Sequence, residues 1–336
     1  MTRIAARLAL LGSLPLAGAA IAPSAMPAAA QRATPAATVG AAVRAARPRP
    51  LPPSTLAVRE RGAWRTWWRS SAAPQRWDAE AGLAPAVDWR VVAPGIRWGQ
   101  AALAGGGEAW RTAVIVVLVD PRRARFALDT AFGGTLQRAW TIDRAPPAAR
   151  VAVNAGQFVA DLPWGWVVLD GRQYLPPGRG PLVSTLAVDS AGTVRWQHEG
   201  ATPERRGVRW AFQSYPTLVA SGQVPAPLQS DAGRIDVAHR DARLAIGTRA
   251  DGTLVIALTR FAALGESLGF VPFGLTTPEM AAVMGALGAV DAVLLDGGIS
   301  AQLRIRSRGG HTTRFPGIRR VPLGLVIYST AADSGG

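Results

Sequence analysis

The chain has 336 residues, 49% of them hydrophobic and 18% charged, with 37 Gly and 26 Pro, so it can build a sizeable core and wholesale disorder is excluded. Cysteine is absent, which removes disulfide frameworks, Cys-ligated zinc, iron–sulfur clusters and thiol nucleophiles together and leaves the redox compartment unread. The formal charge is +15, from 37 basic and 22 acidic residues, and no lysine contributes to it, so arginine, suited to planar two-point contact with carboxylates and phosphates, carries all the positive charge.

Residues 1–30 read as a signal peptide. Arg3 and Arg7 give a positive start, Leu8 to Ala22 is uncharged and mostly apolar, and Ala28-Ala29-Ala30 is a small-residue cleavage pattern. An uncleaved anchor is the alternative, but Pro15, Pro23 and Pro27 disfavour a straight spanning helix. The pattern predicts an exported chain, periplasmic or secreted, that starts near Gln31 and keeps no transmembrane helix after cleavage.

Residues 31–57, rich in Ala, Pro and Arg, read as a disordered linker with extended, polyproline-like preferences. A basic arm also suits nucleic acid, yet an exported chain meets anionic envelope polymers first, so no nucleic-acid partner is expected. Residues 58–84 form a Trp/Arg-rich peripheral segment with Trp64, Trp67, Trp68 and Trp77 among Arg65, Arg69 and Arg76. It reads either as an aromatic strip facing carbohydrate or a partner, or as a segment packed on the main domain. Residues 85–330 are expected to be one domain, and 331–336 a flexible tail.

Within that domain the strand signals dominate. Ala113–Val119, Val151–Val153, Trp166–Leu169, Leu182–Val188, Leu244–Ile246, Leu254–Leu258, Val293–Leu295 and Val321–Ile327 are short apolar runs bounded by Pro, Gly or Asp. Asp170-Gly171, Ser190-Ala191-Gly192 and Asp251-Gly252 supply turn chemistry between them. The expected class is α+β: a single strand-rich domain with a mixed, mainly antiparallel sheet and a few helices. No internal repeat and no Gly-rich phosphate loop between strand and helix is present, which argues against a nucleotide cofactor.

One helix is predicted outright. Thr276-Thr277-Pro278-Glu279 is a capping box, Met280, Val283, Met284 and Leu287 fall on one face, and Gly288 supplies the exit. A buried strand, Ala292-Val293-Leu294-Leu295, follows and ends in Asp296-Gly297-Gly298. A carboxylate on a rigid strand end, with glycines whose N–H groups can approach an oxyanion closely, is a place where chemistry can occur. A plain hairpin turn between Leu295 and Gln302 is the competing account.

The stretch from Thr276 through Gly288 to Asp291-Ala292-Val293-Leu294-Leu295-Asp296-Gly297-Gly298-Ile299-Ser300 resembles the hallmark of the phosphodiester glycosidase family. Val151-Ala152-Val153-Asn154-Ala155-Gly156-Gln157-Phe158 is similar to its Asn-Gly-Gly-Phe-Phe element. Tyr215-Pro216-Thr217-Leu218-Val219 with Gly222 resembles the segment before its arginine motif, and Ala242-Arg243-Leu244-Ala245-Ile246-Gly247 with Asp251-Gly252 resembles that motif. The four stretches keep the family's order between about Asp88 and Tyr328.

The resemblance implies a hydrolase acting on an anionic, phosphate-linked glycan, in which the leaving phosphate ester, with a second pKa near 6, needs no strong general acid. It implies Asp296 as the catalytic carboxylate, Arg243 as a two-pronged phosphate clamp, and Gly156, Gly297, Gly298 and Ser300 as substrate-binding positions. Asn154 would hold a sugar hydroxyl or the carboxylate. Glu279 matches a family carboxylate and is a second catalytic candidate, although the capping box explains it without any catalysis. His198, His239 and His311 lack metal-ligand spacing, so no zinc site and no cofactor are expected; a calcium or magnesium ion on Asp296 is compatible with the residues but not required. His239 is close enough to Arg243 in sequence to reach the same pocket as an acid or base, a solvated strand-flanking position being the alternative.

Four positions depart from the family pattern: Ala155, Gln157, Leu295 and Ile299. They point to a shifted substrate. They also keep open a second function, a non-catalytic envelope module that holds anionic glycans on the same fold. Nothing in the sequence fixes the oligomeric state.

Overall fold

The computed structural model describes residues 48–72, 82–130, 139–199, 204–231, 235–262 and 273–330. All of them belong to one unit, Ala46–Gly336. The expected signal peptide, the linker up to residue 47, Arg76, Trp77 and the tail 331–336 lie outside the described residues.

Alternation of apolar residues builds the main sheet, of nine strands. Thr112–Val119 and Leu254–Phe261 pair antiparallel over their full lengths, and every residue of the second is buried. Leu244–Arg249 follows on one side, then Ala289–Leu295 and Thr217–Val219. On the other side come Ile96–Gly105, Thr55–Glu60 and Ala63–Arg69, with Asp88–Ala93 also paired to Ile96–Gly105. Because side chains alternate across a strand, Leu254, Ile256 and Leu258 enter one core while Val255 and Ala257 enter the other. The two cores lie on opposite faces of this sheet.

The helix Thr277–Ala286 covers one face. Thr276 and Glu279 make the predicted reciprocal cap, and Gly288 carries the left-handed exit at φ 86. All ten helical residues are buried, however, so the helix does not present one apolar stripe. Ala281, Ala282, Gly285 and Ala286 are small enough to be enclosed where an amphipathic helix would show polar groups.

Two five-stranded sheets share the core of the opposite face. One runs Thr312–Phe315, Leu303–Arg306, Val151–Asn154, Gly324–Ser329, Ala124–Asp129; the other runs Arg172–Leu175, Val167–Leu169, Val208–Ser214, Ser184–Asp189, Val194–His198. The three predicted turns join neighbouring strands as expected. Every pairing among the described residues is antiparallel, so the parallel component of a mixed sheet is not found, and the described residues contain one α-helix rather than several. None of their helices is long and apolar enough to cross a membrane.

The amino-terminal boundaries need correcting. Arg49–Pro50 pairs with Ser230–Asp231, and in Thr55–Glu60 the alternating Leu56 and Val58 are completely buried, so the domain begins inside the segment read as linker. Pro52 and Pro53 mask this strand in the sequence because they precede it directly. Residues 63–69 form the outer strand of the main sheet, with Trp68 buried and Trp64 half exposed. Packing on the domain therefore accounts for Trp68.

A polar bridge fastens the second five-stranded sheet to the main one. The Ser184 hydroxyl bonds His198 Nδ1 at 2.7 Å, His198 Nε2 bonds Asp291 Oδ1 at 2.7 Å, and Asp291 also accepts from the Ser221 N–H. Burial opposes ionisation of Asp291, but the His198 and Ser221 bonds outweigh it and hold the carboxyl below its ordinary value. Its contribution to stability is therefore full above the ordinary carboxylate pKa and is lost as pH falls through the lowered folded value. His198→Ala should cost about 1–3 kcal/mol in urea unfolding, by leaving Ser184 and Asp291 without their shared partner. Asp291→Asn should make the acid side of the stability profile shallower.

Candidate active site

Register alone brings two of the sequence candidates to one end of the main sheet. Leu244 pairs with Leu295, so Arg243, just before one strand, and Asp296, just after the other, emerge side by side. The hairpin account of residues 295–302 is not what forms. After Leu295 the chain leaves the main sheet, makes a short 3-10 turn at Gly298–Ser300, and enters the first five-stranded sheet as Leu303–Arg306. Asp296 thus sits on a crossover between sheets.

Asn154, at the end of Val151–Asn154, clasps that crossover. Its Nδ2 donates to the Asp296 carbonyl at 2.9 Å, and its Oδ1 accepts from the Gln302 N–H at 3.0 Å. The Asp296 N–H in turn donates to the Gly156 carbonyl at 2.9 Å. Asn154 is 1% exposed and bonds main chain through both ends of its amide, so it braces the loop.

The two glycines are dictated by close approach. A Cβ on Gly297 would lie 2.6 Å from the Ala242 carbonyl oxygen, and Gly298 N–H donates to that same oxygen at 2.7 Å. Gly298 has φ +56, and a Cβ there would lie 2.8 Å from Asp241 Oδ2. The loops 241–243 and 296–298 are therefore in van der Waals contact. Ser300 is buried, its N–H bonded to the Gly297 carbonyl, while the neighbouring Ile299 is exposed.

Arg243 is fixed by main-chain oxygens. Its Nε donates to the Leu275 carbonyl at 2.8 Å and its Nη2 to the His239 carbonyl at 2.6 Å. These bonds orient the guanidinium while using two of its five N–H donors. Burial pulls its pKa below the ordinary value, opposed by the charges of Asp241, Asp236 and Glu279. It is not a surface arginine paired with an acid.

Asp241 is the residue that sequence reasoning missed. Burial pushes its carboxyl above the ordinary value, against the pull of Arg243, the Ala242 N–H and His239. His239 Nε2 lies 3.9 Å from Asp241 Oδ2, and the imidazole is largely exposed. The available signal was position: Asp241 stands two residues before Arg243, immediately ahead of the arginine motif, at the point where the main chain pairs with Leu275.

Glu279 does not join this group. It is fully buried, Arg240 grips it through Nη1 at 2.7 Å and Nη2 at 2.8 Å, Ser54 donates to it, and the Thr276 N–H donates to it at 2.9 Å. With both oxygens engaged, its task is to cap the helix and seat Arg240, and the catalytic alternative is set aside. No cluster of three or more His, Asp or Glu placed to hold a metal occurs among the described residues.

The arrangement offers a carboxylate on a loop braced through its main chain, a second carboxyl of raised pKa, an oriented guanidinium and glycine main chain at one sheet end. Such a site can bind an oxyanion and act on an adjoining bond.

Comparison with protein-family models matches residues 148–328 to the phosphodiester glycosidases. A sequence search finds no matching curated protein. Among solved structures, the chain is similar to the pro-peptide-inhibited catalytic domain of zebrafish N-acetylglucosamine-1-phosphodiester alpha-N-acetylglucosaminidase. That likeness has a TM-score of 0.53 and 14% identity over 76% of this chain and 87% of that one, and it speaks for the fold alone. A hypothetical protein from Synechocystis gives 0.46 and 18%, over 74% of this chain and 64% of that one.

Two substitutions test the geometry. Asn154→Ala should speed hydrogen exchange at the Gln302 amide and destabilise the fold by about 1–3 kcal/mol, since the Gln302 N–H and Asp296 carbonyl both lose a buried partner. Gly298→Ala combines an unfavourable φ with the Asp241 carboxylate in its way, and should cost about 1–3 kcal/mol, read by thermal or urea unfolding.

Proposed function

The chain belongs to the phosphodiester glycosidase family, and on that premise we propose that it hydrolyses the bond between a sugar's anomeric carbon and the phosphate oxygen of a phosphodiester-linked glycan. One observation carries the proposal: the Asn154–Gly156, Asp241–Arg243 and Asp296–Gly298 segments, far apart in the chain, touch at one sheet end.

In this reading the substrate's phosphodiester anion meets the Arg243 guanidinium, already aimed by the Leu275 and His239 carbonyls. Asp296 removes a proton from water, whose oxygen bonds to the anomeric carbon as the carbon–oxygen bond to phosphate breaks. The electron pair leaves with the phosphate monoester, which is a good leaving group because its second pKa is near 6. The products are a sugar hydroxyl and a phosphate monoester, with the water proton passing to solvent. Main chain at Gly156, Gly297 and Gly298, with Ser300 beside them, shapes the sugar and oxyanion positions. Asp241 is a positioning residue that balances the charge of Arg243, and Asn154 and Gln302 hold the Asp296 loop in place.

The proposal also places the working enzyme outside the cytoplasm, on the strength of Arg3, Arg7, the apolar run and Ala28-Ala29-Ala30. Amino-terminal sequencing of chain recovered from the exported fraction should begin near Gln31; recovery of intact Met1 in the cytoplasm would contradict it.

The catalytic test is a panel of phosphodiester glycosides assayed for released sugar. Asp296→Asn should lower kcat by about 10²–10⁴-fold, and Arg243→Gln should mainly raise KM. An Asp296→Asn protein with undiminished turnover, or a wild-type chain that releases no sugar across the panel, overturns the proposal. Retained glycan binding without turnover would favour the binding-module account.

A further inference from the structure

The crossover that carries Asp296 is bordered by apolar side chains that face solvent. Ile299, one of the four departures from the family pattern, is 41% exposed, and Ile318 is 62% exposed. The two are tied together, because the N–H groups of Ile318 and Arg319 both donate to the Ile299 carbonyl, at 2.8 and 3.0 Å. The Arg319 guanidinium lies over the Phe158 ring, 5.2 Å from its centroid. Phe158 opens a short ribbon in which Phe158–Val159 pairs with Leu162–Pro163. That ribbon begins just after Gly156, whose carbonyl holds the Asp296 N–H.

Alternation sorts the ribbon into two faces. Phe158 and Pro163 pair on the inner one, with Pro163 buried and Phe158 packed against the core. Val159 and Leu162 pair on the outer one and are 63% and 50% exposed, where a ribbon facing only water carries polar residues. Tyr215 extends the border. Gln157 Nε2 donates to its carbonyl at 3.1 Å, and its partly exposed ring meets Trp164 edge-on at 4.8 Å. Scattered exposed aliphatics are ordinary, but four on three adjoining segments beside one loop mark a contact surface.

Size and charge decide what the surface meets. A stable protein interface takes about 20–30 residues a side, far more than this border offers, whereas a bilayer is held by a few side chains that reach its acyl boundary. Arg319 and Arg320 are exposed beside Ile318, and Asp161 at the ribbon's tip is the one acid in residues 157–164, 298–301 and 316–320. The chain as a whole carries +15. Pairing two copies through this border would set arginines against arginines, while an anionic lipid surface attracts them. Tyrosine, an apolar ring with a polar tip, suits the headgroup level.

We propose that the border of the Asp296 crossover is a docking surface for an anionic phospholipid bilayer. Val159, Leu162, Ile299 and Ile318 enter the boundary between headgroups and acyl chains, and Arg319 and Arg320 face the lipid phosphates. The Asp296 loop is thereby turned to the lipid surface. Docking needs neither Arg243 nor Asp296, so it stands or falls independently of the proposed hydrolysis.

The test is co-sedimentation of the full chain with phosphatidylcholine vesicles containing phosphatidylglycerol, at constant ionic strength, with hydrogen exchange measured on the bound protein. Wild type should bind saturably, and the amides of residues 157–164 and 316–320 should gain protection while those of the helix Thr277–Ala286 stay unchanged. Val159→Ser/Leu162→Ser/Ile318→Ser should weaken partitioning at least about tenfold, through the apolar surface it removes. Arg319→Gln/Arg320→Gln should weaken it roughly tenfold on the anionic vesicles and leave binding to pure phosphatidylcholine unchanged. Asp296→Asn should bind as wild type does, which separates docking from hydrolysis. Absence of vesicle binding, wild-type affinity in the triple serine variant, or protection confined to other segments would each overturn the assignment. So would a triple variant that loses self-association but keeps its affinity for vesicles, the result expected of an interface between copies.

Discussion

The hydrogen bond from Asn154 Nδ2 to the Asp296 carbonyl, with its companion from the Asp296 N–H to the Gly156 carbonyl, is the constraint on which the site depends. Asp296 lies where the chain passes from one sheet to another, a place where two rigid bodies could otherwise set the loop differently. Bonding both main-chain groups of one residue to a strand end of the receiving sheet removes that freedom. Since Asn154 is buried, these bonds form away from competing water and are expensive to leave unmade.

Arginine chemistry gives the rest of the molecule its character. Without lysine, the chain uses guanidinium forks, among the described residues, both as braces between main-chain carbonyls and against acids. Arg304 spans the carbonyls of Ile142, Ala145 and Pro146, Arg260 those of Ala301, Phe315 and Pro316, and Arg243 those of Leu275 and His239. Each fork ties main-chain oxygens of its surroundings to a single side chain, and arginine stays protonated while doing so. The net charge is thus partly built into the frame of the protein.

How much of this could be read in advance varies with how local its cause is. The capping box at Thr276 and Glu279, the three tight turns and the buried strand ending at Asp296 are set by neighbours in sequence, and each forms as expected. Leu56 was misassigned to a linker because its burial comes from pairing with Gly105, and the flanking prolines carry the local signal. The work of Asn154 was hidden for the same reason: its partners, Asp296 and Gln302, belong to a crossover that only the arrangement of sheets defines. Glu279 shows the converse, a residue whose family position suggested chemistry until Arg240 and Ser54 were seen to occupy it. Asp241 gave no periodic or motif signal beyond its nearness to Arg243, and its raised pKa arises from burial that sequence does not display.

A crystal structure of the Asp296→Asn protein soaked with an intact phosphodiester glycoside bears on the central claim most directly. The account predicts the phosphate within hydrogen-bond distance of the Arg243 guanidinium and the anomeric carbon facing residue 296, with the Asn154 clasp undisturbed. A glycoside bound away from both residues, or one that seats only after the 296–298 loop has swung off Asn154, would contradict it.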